Sequence, residues 1–243
     1  MRMKLLRNNS FLFIAAAMTC MLFPRANATD LSGNVGADNG AYIYLSTSQN
    51  KLGTLVDTIS TWTSNNPISP VALVPGTTYY INVEAYNVGG PGGFIGSFSL
   101  SNASYAFSNG TQSLDTSAVG WLGGYNSALP TGVTTSPSAP PAAWVTPNAA
   151  VTTEGLNGVS PWGKVQGVST NAQWIWPSDS QSYSAGAPCQ YCWVDFSSTA
   201  IAPVVSAQST GVPAPLGSSL FGIALLGISV LRRKQLLHQN RCG

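Results

Sequence analysis

Histidine is almost missing from this chain: of 243 residues only His238 is one, close to the C-terminal end. That scarcity removes Ser-His-Asp and Cys-His catalysis and histidine metal sites from the 183-residue stretch Thr29 to Gly211. Charge is scarce too, at 7 % of residues. Between Thr29 and Gly211 the only cations are Lys51 and Lys164. All eight acids lie there: Asp30, Asp38, Asp57, Glu84, Asp115, Glu154, Asp179 and Asp195. Two positive against eight negative charges leave this stretch at −6. A nucleic-acid partner needs a basic footprint, so none is expected. The pI of about 8.4 belongs to the two ends. No helical apolar period lasts three turns before Leu216. What fills the body instead is Ser, Thr, Gly, Asn, Tyr and Val, a mixture that favours strands and turns.

The ends read as targeting. Arg2, Lys4 and Arg7 precede an apolar run from Phe11 to Phe23, then Ala26-Asn27-Ala28 supplies a small-x-small pattern. Together these predict a secretory signal peptide over 1–28, cleaved after Ala28, with Ala26 and Ala28 as the small residues at the peptidase. The run is short for a membrane-spanning helix, although an uncleaved anchor is the alternative. Thr19 and Ala17 are a poor match to a lipidation site at Cys20.

At the other end, Val212-Pro213-Ala214-Pro215 leads into sixteen uncharged residues, Leu216 to Leu231, and then Arg232, Arg233 and Lys234. This predicts a short transmembrane helix over 216–231. The positive cluster places the 235–243 tail in the cytoplasm and the body outside. Pro-x-Pro, a short Leu/Gly/Ala helix and a basic end resemble a PEP-CTERM sorting signal over 212–234, a segment also labelled an ice-binding protein C-terminal domain. The resemblance implies an exosortase-type sorting enzyme as partner, an inner-membrane-anchored precursor in a Gram-negative cell, and later release or surface attachment. It departs from the family pattern at Ala214, where Glu is usual, and in the nine residues after Lys234. No regular Thr-x-Thr ladder supports ice binding.

The body, 29–211, is long enough for one domain with its own core. Strands are expected at Ala41–Leu45, Leu52–Ile59, Val71–Val74, Thr78–Tyr86, Phe94–Leu100, Ser104–Phe107, Val119–Leu122, Val165–Val168, Ala172–Trp176 and Tyr191–Ser198. The clearest alternates Tyr79, Ile81, Val83 and Ala85 against Tyr80, Asn82, Glu84 and Tyr86. Ser127 to Ala143, rich in Pro, Ser and Thr, reads as a long loop. The expected fold is all-β, a single antiparallel β-sandwich. Asp38-Asn39, Trp62, NVEAYNVGGPGGFIGSFSL at 82–100 and NAQWIW at 171–176 resemble a galactose-binding-like jelly roll. The stretch LVPGTTYYINVEAYN at 73–87 also resembles a fibronectin type III module.

Cys189 and Cys192 form a C-x-x-C, which serves as a redox pair, half a zinc site or a small disulfide. With no second C-x-x-C and a strand-like sequence overlapping it, a structural disulfide is the expectation. Seven tryptophans are many for so short a body. Trp62, Tyr80, Glu84, Tyr86 and Trp121 are candidate ligand-binding residues, aromatic platforms and oxygens for sugars, although tryptophan is usually well buried. Trp174 and Trp176 share a strand face by spacing and are expected in the core. Asp38, Glu84 and Asn87 are candidate calcium oxygens that serve equally as turn caps; no other cofactor is expected. The expected function is a non-enzymatic surface or extracellular-matrix protein binding exopolysaccharide. The alternatives are a secreted glycan-processing enzyme with paired carboxylates and a purely structural secreted protein.

Overall fold

The computed structural model describes residues 28–130, 135, 137–141, 143–180 and 189–205. The expected signal peptide, apart from Ala28, and the whole 212–234 sorting segment with its helix and tail lie outside these residues. Ala28 is exposed, and β1 begins at the next residue.

The described residues contain thirteen strands and no helix long and apolar enough to cross a membrane. In order these are β1 (Thr29–Asp38), β2 (Gly40–Ser46), β3 (Thr54–Ile59), β4 (Asn66–Leu73), β5 (Tyr80–Val88), β6 (Gly93–Leu100), β7 (Tyr105–Phe107), β8 (Ser113–Asp115), β9 (Trp121–Ala128), β10 (Ala149–Leu156), β11 (Gln173–Pro177), β12 (Tyr191–Ser198) and β13 (Ile201–Pro203). Ten join in the order β3-β2-β5-β12-β9-β10-β11-β6-β1-β4, and β8 adds to β6. Every pairing is antiparallel. The sheet folds back on itself into a sandwich-like, nearly closed barrel. A front layer, β3-β2-β5-β12-β9, faces a back layer, β11-β6-β1-β4. The bridging strand β10 pairs with β9 at Ala149 and Ala150, then with β11 from Val151 onward. β7 and β13 form a separate ribbon.

Period-two alternation explains the core. Ile43, Ile81, Val83, Val194 and Phe196 point in from the front, and Leu31, Val35, Phe94 and Phe98 from the back, all in one buried cluster. The Phe94 ring lies 5.5 Å from Phe196 and 5.8 Å from Trp121. A second cluster, with Ile95, Trp162, Val165 and Trp174, seals part of the back layer's outer surface. There Trp162 stacks on Trp174 at 4.6 Å.

Three sequence expectations change. β1, β8, β10 and β13 were not expected: glycines and hydroxyls dilute the apolar alternation of β1 and β10, and β8 and β13 are only three residues long. Val165–Val168 forms no strand: Gly163 and Gly167 take positive φ on either side of Val165, and both valines dock in the outer cluster. Trp174 and Trp176 are both fully buried, but Trp174 joins the outer cluster while Trp176 packs inside, 6.0 Å from Phe196.

Candidate functional site

The front layer's outer face carries the densest collection of polar and aromatic groups. Register sets it in rows. Tyr42 lies opposite Glu84, and Glu84 opposite Asp195. Gly40 lies opposite Tyr86, and Tyr86 opposite Trp193. Tyr44 lies opposite Asn82, and Asn82 opposite Ser197. The Tyr86 and Trp193 rings meet edge-on at 5.1 Å, with Tyr42 5.9 Å from Trp193. Gly40 is required here: a Cβ would collide with the Tyr86 phenol.

This face is not open to solvent. Described residues after β9, among them Pro137, Ala143, Trp144 and Val145, bond across it as a roof. Tyr42 Oη donates to Pro137 O at 3.2 Å. Asn126 Nδ2 donates to Ala143 O at 3.0 Å, and Trp144 Nε1 donates to Gln49 O at 2.9 Å. The Ser127–Ala143 loop expected from composition falls here, and its described part forms no strand beyond Ala128. A cavity of about 490 Å³ remains between Trp193 and Pro137–Pro141.

Under the roof Glu84 and Asp195 are fully buried neighbours. Glu84 Oε2 accepts from Tyr44 Oη at 2.9 Å. Asp195 Oδ2 accepts from Asn126 Nδ2 at 2.8 Å and from the Val145 amide at 2.9 Å. Glu84 Oε1 and Asp195 Oδ1 have no hydrogen-bond partner. Burial pushes the Glu84 carboxyl up to about 7 against the opposing Tyr44 bond. It pushes Asp195 up to about 8, against its Val145 and Asn126 bonds and with the Glu84 charge adding to the rise. At neutral pH Asp195 therefore stays mostly protonated and Glu84 about half so, where ordinary carboxyls hold no proton. Asp195 fastens Val145 and Asn126, and Glu84 fastens Tyr44.

The candidate ligand residues do not converge. Glu84 and Tyr86 share the roofed face, with Tyr86 2 % exposed. Trp121 is buried inside the barrel, between Phe94 and Phe98. Only Trp62 and Tyr80 are half-exposed. The calcium trio also separates. Asp38 Oδ2 accepts from Trp162 Nε1 at 2.8 Å in the outer cluster of the back layer, where burial raises it to about 6 against that bond. Asn87 shapes the glycine turn, accepting from Gly89 N at 3.1 Å and donating to Gly90 O at 3.0 Å and Cys189 O at 3.2 Å. Among the described residues, no three His, Cys, Asp or Glu side chains gather as a metal group. Cys189 and Cys192 are joined in a disulfide, both buried.

Asp195 escaped the sequence reading. Its signal was an acid flanked by Val194 and Phe196 in a strand, a charge where burial is expected; its partner was hidden because register is long-range. Also missed was an open groove of about 650 Å³ on the back layer's outer face, lined by Ser32, Asn34, Ser97, Ser99, Asp115 and Asn171 among others. Trp62 packs on the cluster covering the adjoining part of that face.

No protein-family model matches the chain, and no curated protein or solved structure matches it either.

Proposed function

We propose that the chain is an exported, non-enzymatic surface or extracellular-matrix protein. In this reading an exosortase-type enzyme sorts it from an inner-membrane-anchored precursor through the 212–234 segment, and its body, a jelly-roll-like sandwich, binds exopolysaccharide. The observation that carries export is the closed Cys189–Cys192 disulfide, a bond that persists in oxidising compartments outside the cytoplasm. The start of β1 immediately after Ala28 fits removal of a signal peptide there.

The sugar reading rests on the back-layer groove rather than on the buried aromatics. Its hydroxyls, amides and single carboxylate are the donors and acceptors that sugar hydroxyls take up. Trp62 is the half-exposed ring nearest that role. Pull-down of the exported protein on exopolysaccharide tests this. Retention of the native chain is expected, with several-fold loss in Asn34→Ala combined with Asp115→Ala. Native retention no better than background sinks the sugar reading and leaves a structural role.

The Glu84–Asp195 pair favours a second reading, a glycan-processing enzyme. It requires roof opening, and it requires hydrolysis of a glycosidic substrate that disappears in Asp195→Asn.

A further inference from the structure

The sheet is not closed. Its two end strands, β3 and β4, are consecutive in sequence and joined by the 60–65 loop, yet they share no ladder. Where they splay, a cleft of about 550 Å³ opens, lined by Leu45, Leu55, Val56, Val71 and Tyr79 with a polar rim. Val56, Val71 and Tyr79 pack directly on the main core, so the cleft floor is the barrel interior. Leu55 stands half-exposed at its rim, at 50 %. Barrel mouths of this size and character commonly hold small ligands.

Two features define the occupant. The first is charge. Lys51 lines the cleft and no carboxylate does, in a body with two lysines and eight acids. The lysine's turn is firmly held. Ser46 Oγ donates to Lys51 O at 2.7 Å, and so does Asn82 Nδ2 at 2.7 Å. Asn82 Oδ1 in turn accepts from Ser197 Oγ at 2.7 Å, and Asn82 and Ser197 are both fully buried. The backbone of the lysine-bearing turn is thus fixed beside the apolar slot, and the exposed Lys51 side chain supplies the cation at its rim. The second feature is the edge. Pro67 and Pro70 sit in β4, and proline cannot donate to a ladder, so a peptide strand added along the β4 side is disfavoured.

We propose that the β3/β4 seam is a binding site for a single-chain amphiphile with a carboxylate head, the chain lying on Val56 and Val71 and the head at Lys51. One lysine matches one negative charge, which favours a carboxylate over a doubly charged phosphate. This site is separate from the back-layer groove and independent of the sugar reading.

Titration calorimetry of the exported protein in detergent-free buffer, with dodecanoate below its micelle concentration, tests it. One-to-one binding is expected, with dodecyltrimethylammonium clearly weaker. Lys51→Met should weaken dodecanoate about two- to fivefold, the range of an exposed ion pair, and leave dodecanol unchanged. Val71→Trp, which fills the slot, should abolish binding of both, with its melting curve checking that it folds. Since Lys51 is exposed, its variant reports even if the tryptophan variant unfolds. No dodecanoate binding, equal binding of the cationic amphiphile, or an unchanged affinity in Lys51→Met would each overturn the proposal.

Discussion

Glu84 and Asp195 illustrate how two side chains set a pH dependence for the whole fold. Both carry carboxyls raised by burial, to about 7 and about 8. In the unfolded chain they titrate near their ordinary values, around pH 4. Between about pH 4 and pH 8 the folded protein therefore binds more protons than the unfolded chain. Stability must fall as pH rises through that window and level off above it. Asp38, raised to about 6, adds to the fall at its lower end. Thermal melts at pH 5, 7 and 9 should give a steadily decreasing midpoint. Asp195→Asn should flatten the curve, because the amide stays neutral and can donate towards the unpartnered Glu84 Oε1. A midpoint that rises with pH would refute this account of the pair.

At the scale of elements, β5 and β12 were the most legible. Each alternates cleanly, and each has a neighbour on both sides that rewards the alternation with burial. β1 was illegible for the opposite reason. Gly33 stands where bulk would clash, since its Cβ would lie 2.7 Å from Ser97 O, and at Gly36 a Cβ would crowd the Val165 side chain at 3.1 Å. Packing chose glycine there, and glycine erased the strand signal. The acid pair was equally hidden, because residues 111 positions apart meet only through register. The C-x-x-C, in contrast, was readable from compartment and spacing, since it closes a loop within one turn of chain. So short a loop gives the disulfide a modest effect on the unfolded state. Replacing both cysteines by serine should cost about 2 kcal/mol in urea unfolding on the loop-entropy argument. A loss near zero would mean that the Asn87 bond to Cys189 O already holds the loop.

For the molecule as a whole, the separation of charge between ends and body has a direct readout. The complete chain has a pI of about 8.4, whereas the stretch from Thr29 to Gly211 carries −6. Loss of both ends should therefore move the protein from the basic to the acidic side of an isoelectric focusing gel. A mature form that still focuses near the precursor would contradict removal of the termini. The position of β12 matters at this scale as well. It lies inside the sheet, bonded along its length to β5 on one side and β9 on the other, and among the described residues the one strand after it is the three-residue β13. Under the proposed C-terminal attachment, tension would enter the fold at that end. Such a pull would first meet β13, held by β7 and by the Tyr79–Ile201 bridge. It would next reach β12, which two flanking ladders hold in the sheet. In that arrangement a three-residue ribbon would yield ahead of a strand gripped on both sides.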